Sequence, residues 1–249
     1  MKNVVIMQAR VNSSRLKAKV LREIKGKTIL EHDIERIRQA KNIDGIIIAT
    51  TTNEVDDAIV EVAEKCGVKH FRGSEEDVLE RYYLAAKEFD VQHIIRITSD
   101  CPLIDPFIID DIIEKYEKIS PDIIANVPNE IKDMTYPRGL DLEIFSFEWL
   151  EKAYNEATKP FDREHVTTYI YDHAKNVYYD KYHKDYSKYR WTLDTDEDWQ
   201  VINKIYENFY NGKHDFYFLD IVDYMEKHPE IVQINEGIKQ KLKDVESIE

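Results

Sequence analysis

The chain has 249 residues, a formal net charge of −14, 43% hydrophobic residues and 34% charged residues. That length suits one large α/β domain with a substantial core, or two small ones. The acidic balance argues against nucleic acid or an anionic membrane as a bulk partner, and no apolar run approaches the ~20 residues needed to cross a bilayer. Cys66 and Cys101 are the only cysteines, and two distant thiols on a chain with no secretory leader are expected to be free. With no basic n-region or cleavage site at the N-terminus, a cytoplasmic location is expected.

The first element is Val4-Val5-Ile6-Met7, a continuous apolar run that reads as a buried strand. The loop leaving it, Gln8 to Lys19, carries Arg10, Arg15, Lys17 and Lys19 together with Asn12, Ser13 and Ser14. In open α/β sheets, ligands bind where loops leave the carboxyl ends of strands. Four cations crowded into one loop of an acidic chain point to a polyphosphate, the plain alternative being a solvated turn. The loop holds no glycine and matches neither the P-loop nor the dinucleotide fingerprint, so side chains must do much of the holding.

Beyond it, Thr28 to Gln39 has apolar residues at helical spacing, and Gly45 to Thr50 is a second buried strand. Asn53 is placed to cap a helix from Glu54 to Cys66 that Gly67 ends. Val68 to Phe71 is a third strand. Ser74 is placed to cap the next helix, with Glu75, Glu76 and Asp77 in its first turn. His93 to Thr98 is a fourth strand, Asp105-Pro106 opens a helix, and Ile123 to Val127 is a fifth strand. Strands alternating with helices predict parallel βαβ units. The fold class is therefore α/β, a three-layer α/β/α sandwich with a mostly parallel, Rossmann-like nucleotide-binding sheet. The region from about 128 to 189 breaks this rhythm and reads as an inserted lid or dimerisation surface within a single 1–249 domain. Its Tyr178, Tyr179, Tyr182, Tyr186 and Tyr189 are expected to pack internally or form an interface, sugar stacking being the sharper reading. Trp191 and Leu193 read as a short strand. Helices follow from Asp196 to about Tyr210 and from Leu219 to Lys227.

Two aspartates stand out. Asp100 lies just past the fourth strand, with Pro102 stiffening the turn, and Asp194 follows the Trp191–Leu193 run. Hard cations such as Mg²⁺ use one or two carboxylates plus phosphate oxygens. A turn or cap aspartate is the structural alternative for both, and it is preferred for Asp196 and Asp198. The eight histidines show no zinc spacing.

Six segments occur in order: QARVNSSRLKAK (8–19), FRGSEEDVLERY (71–82), RITSDCPLID (96–105), YPRGLDLEIF (136–145), REHVT (163–167) and RWTLDTDED (190–198). Together they resemble the cytidylyltransferases related to acylneuraminate and deoxy-octulosonate cytidylyltransferases, most of all the spore-coat polysaccharide biosynthesis branch. The resemblance covers about residues 3–198. It implies that CTP is bound by Gln8, Ala9, Arg10, Asn12, Ser13, Ser14, Arg15 and Lys19, with Arg72, Gly73, Ser74 and Ser99 on the nucleotide side. It implies Mg²⁺ on Asp100 and Asp194, and catalytic roles for these two with Arg10 and Lys19. Tyr136, Arg138, Asp141, Glu143, Arg163 and His165 would shape the acceptor site. Asn12 stands where the family usually has Gly, Lys17 where it has Pro, and Ala18 where Gly is frequent.

The implied reaction is attack of an acceptor oxygen on the α-phosphorus of CTP, releasing pyrophosphate. The acceptor would be an acidic sugar, a sugar phosphate or a small phosphorylated acid, in surface polysaccharide or glycoconjugate biosynthesis, and the enzyme a homodimer. Two rivals are a metal-dependent glycosyltransferase using Asp194-Thr195-Asp196 as its D-x-D, and a degenerate nucleotide-binding protein.

Overall fold

The first apolar run becomes β1 (Asn3–Gln8), an interior strand whose side chains alternate between two cores. Val5 and Met7 pack on one face, Val4 and Ile6 on the other, all fully buried. The computed structural model describes residues 1–12, 16–127 and 134–238. After β1 come a one-turn 3₁₀ helix (Lys19–Leu21) and a short hairpin, β2 (Glu23–Ile24) and β3 (Lys27–Thr28). Then follow α1 (Ile29–Ile37), β4 (Gly45–Thr51), α2 (Asp57–Lys65), β5 (Lys69–Gly73), α3 (Val78–Glu88), β6 (His93–Thr98) and α4 (Pro106–Ile119). The remainder is β7 (Ile123–Ala125), β8 (Glu143–Ser146), α5 (Phe147–Glu156), α6 (Pro160–His165), α7 (Thr168–His173), β9 (Val177–Tyr179), α8 (Asp196–Phe209), α9 (Phe218–Lys227) and α10 (Pro229–Asn235).

The main sheet has seven strands in the order β5-β4-β1-β6-β8-β7-β9. All neighbours run parallel except β8, which is antiparallel to both β6 and β7. One face is covered by α1, α2, α4, α8, α9 and α10, the other by α3, α5 and α7. This is the expected three-layer sandwich. Each fully buried branched side chain in it contributes roughly 1.5–3 kcal/mol, so Ile6→Ala at the centre would cost about 2–5 kcal/mol.

Local signals explain most boundaries. Thr28 caps α1 in a capping box with Glu31. Asp105 caps α4, its Oδ1 accepting from the Phe107 and Ile108 amides, while its Oδ2 accepts from Phe218 at the start of α9. One carboxylate thus fixes the start of two helices.

Other expectations need correction. Asn53 donates its side-chain amide to Glu75 rather than capping, and the first turn after it is 3₁₀. Glu75 is held by Asn53 and Arg10, so the chain bends there and α3 starts only at Val78, with Asp77 as its cap. Trp191 and Leu193 form no strand; they run extended, with Trp191 N–H donating to the Arg138 carbonyl and Leu193 N–H to that of Asp100. The described part of the stretch expected as a lid, residues 134–189, contributes β8 and β9 to the main sheet itself. Both cysteines are free, as expected. Among the described residues no helix is long and apolar enough to cross a membrane.

Candidate active site

Gln8 pairs with Thr98 in the parallel register of β1 and β6, so the loops that follow both strands leave the same edge of the sheet. Lys19 returns to this edge on the 3₁₀ turn. Its ammonium donates to Asp100 Oδ2 at 2.9 Å and to Asp194 Oδ1 at 3.0 Å. Residues distant in sequence therefore converge on one atom. Burial works against the charge on Lys19, but the two aspartates outweigh it and hold its pKa above the ordinary value. Burial likewise opposes ionisation of Asp100, yet Lys19 prevails and the carboxyl is pulled down to about 2.

The backbone around this point is laced together. The Asp100 carbonyl accepts from Leu193 N–H at 2.8 Å and from Thr192 Oγ1 at 3.2 Å. Arg190 reaches Asp194 Oδ2 at 3.4 Å and Asp198 Oδ1 at 2.9 Å. Asp198 also closes the capping box of α8 with Thr195, so one buried carboxylate ends the loop and starts the helix. Gly139, at φ +104°, lies against the Trp191–Thr192 backbone; a Cβ there would sit 2.4 Å from the Trp191 carbonyl carbon. Only glycine permits this approach, which seats Gly139 and its neighbours against the Trp191–Thr192 backbone.

The left-handed residue in the first loop is Ala18, at φ 50° and ψ 33°. Asn12 is not among the positive-φ residues. The left-handed strain thus falls at Ala18, not at Asn12.

The expected nucleotide residues divide. Ser13, Ser14 and Arg15 lie outside the described residues. Arg10 is half-exposed and pairs with Glu75 at 3.2 Å. Ala9 donates its amide to the Ala49 carbonyl, Gln8 accepts from Arg96 at 3.4 Å, and Asn12 is exposed. Arg72 is tied to the Thr51 and Asn53 carbonyls and to Asp57, Gly73 packs against Phe71 and Arg81, and Ser74 accepts from the Asp77 amide. Ser99 is buried beside Asp100.

The expected acceptor residues are mostly engaged with one another. Arg138 pairs with Asp141, whose carboxyl is pushed up by burial against the pull of Arg138. Glu143 pairs with Arg96 at 2.7 Å and accepts from Thr167 and Tyr171. Arg163 is clamped between Asp77, at 2.8 Å, and the Tyr154 carbonyl. His165 lies edge-on to Phe161. The next residue, Val166, is at φ 63° and ψ −55°, and Thr167 N–H donates to the His165 carbonyl. That is a γ-turn of the rare positive-φ kind, strained for a β-branched residue. Tyr136 is apart from these: its hydroxyl donates to Asp180 at 2.6 Å, and it lines a cavity of about 510 Å³ between α4 and α9.

Arg190, Asp198 and Arg96 escaped the sequence reading as site residues. All three lie inside the quoted motifs, which was the available signal. The D-x-D spelling does not survive as geometry, because Asp194 is buried and turned to Lys19 while Asp196 is exposed and paired with Arg22.

Comparison with known proteins now decides the family. The sequence pattern described as Cytidylyltransferase matches residues 4–226. The chain belongs to the cytidylyltransferase family. Members transfer CMP from CTP, and that is the activity this family membership gives the chain. A protein of uncharacterized function from Methanocaldococcus jannaschii is 39% identical over 249 residues, 97% of each chain. The spore coat polysaccharide biosynthesis protein SpsF of Bacillus subtilis is 34% identical over 212 residues, covering 81% of this cytidylyltransferase and 85% of SpsF. A solved cytidylyltransferase from Leptospira borgpetersenii superposes with a TM-score of 0.87 at 33% identity, covering 96% of this chain and 100% of that one. The expected kinship with the octulosonate enzymes is also found. The 3-deoxy-manno-octulosonate cytidylyltransferase 2 of Hydrogenovibrio crunogenus is 31% identical over 172 residues, 67% of this chain and 61% of that one.

Proposed function

We propose that this cytidylyltransferase transfers CMP from CTP to an anionic acceptor with release of pyrophosphate, at the edge where Lys19, Asp100 and Asp194 meet. The acceptor class is an acidic sugar, a sugar phosphate or a small phosphorylated acid, and the pathway is the making of a surface polysaccharide or glycoconjugate. The observation that carries this reading is the single ammonium held at 2.9 and 3.0 Å by two aspartates far apart in the sequence.

The donor set fits a divalent cation. Two carboxylates converge on one point, and both are hard oxygen donors of the kind Mg²⁺ takes beside phosphate oxygens. No group of three candidate ligands occurs among the described residues, so a bound Mg²⁺ would draw its remaining ligands from the triphosphate and water. Asp100 and Asp194 would hold it, and when bound it would neutralise charge building on the phosphate oxygens. Lys19 would then be released to the triphosphate, where with Arg10 it offsets the charge of the leaving pyrophosphate. Arg190 and the Thr195–Asp198 box keep Asp194 aimed at that point. A phosphate or carboxylate acceptor is already ionised near neutral pH and needs little help from a base.

The tyrosine-rich stretch, with Tyr178 exposed on the edge strand β9, supports pairing of two copies through this side. Sedimentation as a monomer at micromolar concentration would reject the dimer. The test of the reaction is pyrophosphate release from CTP across a panel of sugar acids, sugar phosphates and phosphorylated acids, each with and without Mg²⁺. Release with one acceptor class supports the reading. Transfer from a nucleotide-sugar donor with no use of CTP would replace it.

A further inference from the structure

Asn235 closes α10, the last helix among the described residues, and only 3% of it is exposed. The family pattern ends at residue 226, so this helix lies wholly outside it. The Asn235 side chain nonetheless reaches back into the RWTLDTDED segment. Its Nδ2 donates to the Arg190 carbonyl at 2.9 Å and to Asp198 Oδ1 at 2.8 Å. Both partners are acceptors, so the NH₂ end of the amide must face them, and its two N–H groups supply one bond each.

Asp198 is fully buried, and its carboxylate gathers the neighbouring groups. Oδ1 also accepts from Arg190 Nε at 2.9 Å, and Oδ2 accepts from Arg190 Nη2 at 3.0 Å. Oδ2 further accepts the main-chain amides of Asp194 and Thr195 at 3.0 and 3.1 Å. The same Arg190 Nη2 lies 3.4 Å from Asp194 Oδ2, while Asp194 Oδ1 takes the Lys19 ammonium. Asn235 therefore ties the Arg190 main chain to the carboxylate that the Arg190 side chain grips. With both ends of Arg190 fixed, its guanidinium is set against one oxygen of Asp194, and the other oxygen is turned to the point shared with Lys19 and Asp100.

We propose that Asn235 is a positioning residue of the active site, acting through Arg190 and Asp198 to hold the Asp194 carboxylate in the orientation that binds a divalent cation with Asp100. This rests on the metal reading given above. The place demands an amide. An apolar side chain would take a donor from both the Arg190 carbonyl and Asp198, and loss of a partner is costly for a buried acceptor. An aspartate of the same shape would set a second carboxylate against Asp198 and compete for Arg190, drawing the guanidinium off Asp194. Docking of α10 is the simpler role for the residue. Ile231, buried on the same helix, serves docking too, but it has no polar group to offer Arg190 or Asp198.

The experiment uses the full chain saturated with CTP and without acceptor, so that no turnover is needed. Mg²⁺ is titrated and thermal stabilisation is read for wild type, Asn235→Ala, Asn235→Asp and Ile231→Ala. Asn235→Ser, a milder change, takes their place if the first two do not fold. Groups that orient a metal's ligands are worth about 10–100-fold in metal affinity, so a folded Asn235 variant should need about tenfold more Mg²⁺ for half its stabilisation. Ile231→Ala should lower the metal-free Tm and keep the wild-type Mg²⁺ midpoint. An unchanged midpoint in a folded Asn235 variant overturns the proposal. An equal shift in Ile231→Ala also overturns it, because helix docking would then account for the effect. Asp100→Asn is the control for the metal. If wild type itself shows no Mg²⁺-linked stabilisation, the metal reading fails and takes this inference with it. If wild type responds, Asp100→Asn does not and the Asn235 variants match wild type, only the role of Asn235 fails.

Discussion

Two sets of charged residues differ in what their charges are doing. Around Lys19, an ammonium is shared between Asp100 and Asp194, and Asp100 keeps 21% of its side chain exposed. On the proposed reading, an incoming cation would replace that ammonium and a phosphate would draw it away. On the α3 and α7 side, Arg163 is clamped by Asp77 and Tyr154, and Arg96 by Glu143, which Thr167 and Tyr171 also bind. These residues hold elements together. Residue type and motif membership are the same in both sets; the partner decides whether a charge is available to a ligand.

The largest effects should fall on the first set. Asp100→Asn is expected to lower turnover by roughly 10²–10³-fold, the range for loss of one preorganised charge-stabilising group. Steady-state pyrophosphate release checks it, and turnover within threefold of wild type would merge the two sets. The variant should also change the acid limb of stability. The Asp100 pKa is depressed to about 2, so its contribution is present above the ordinary carboxylate value and disappears as pH falls through the interval down to about 2. Stability of Asp100→Asn should lack that part of the acid loss. Asp194, bound by both Lys19 and Arg190 and only 2% exposed, should lose activity similarly and stability more.

Gly139→Ala comes next. Its Cβ would meet backbone at 2.4–2.6 Å and the residue would have to hold φ +104°, which together should cost about 3 kcal/mol. Denaturant midpoints would show it, and an unchanged midpoint would mean that the 136–143 and 190–194 segments are not locked together. Arg163→Met sharpens the comparison from the other side. Losing charged hydrogen bonds to Asp77 should cost about 2 kcal/mol of stability while leaving KM for the acceptor within twofold. A large rise in acceptor KM at unchanged stability would return Arg163 to the substrate site. The smallest effect is a gain. Ala18→Gly relieves a left-handed backbone at φ 50° and should stabilise by about 1 kcal/mol, net of the chain entropy of glycine.

Much of the parallel half was legible because its signals are local. The apolar runs of β1, β4 and β6, the helical spacing of α1 and the Asp105-Pro106 start each act within a few residues. The second half depends on long-range pairing. Glu143 to Ser146 carries no mark that it will insert antiparallel between β6 and β7, and Val177 to Tyr179 is too short to announce an edge strand. The convergence of Asp100 and Asp194 followed from motif order, and its geometry could be expected because both were placed at one sheet edge. The bridging position of Lys19 could not, since it depends on the left-handed turn at Ala18. Asp33 was unreadable: on an amphipathic helix it looks like a surface residue, yet the fold buries it completely.

The central claim is that Lys19, beside two aspartates, binds the triphosphate of CTP. Isothermal titration of CTP with Mg²⁺ into wild type and Lys19→Met tests it most directly, with ATP as the nucleotide control. The account predicts CTP bound at least tenfold more tightly by wild type than by the variant, in line with about 1.4 kcal/mol or more for a lost charge contact, and more tightly than ATP. Equal CTP affinity in the two proteins, or equal affinity for ATP, would contradict it.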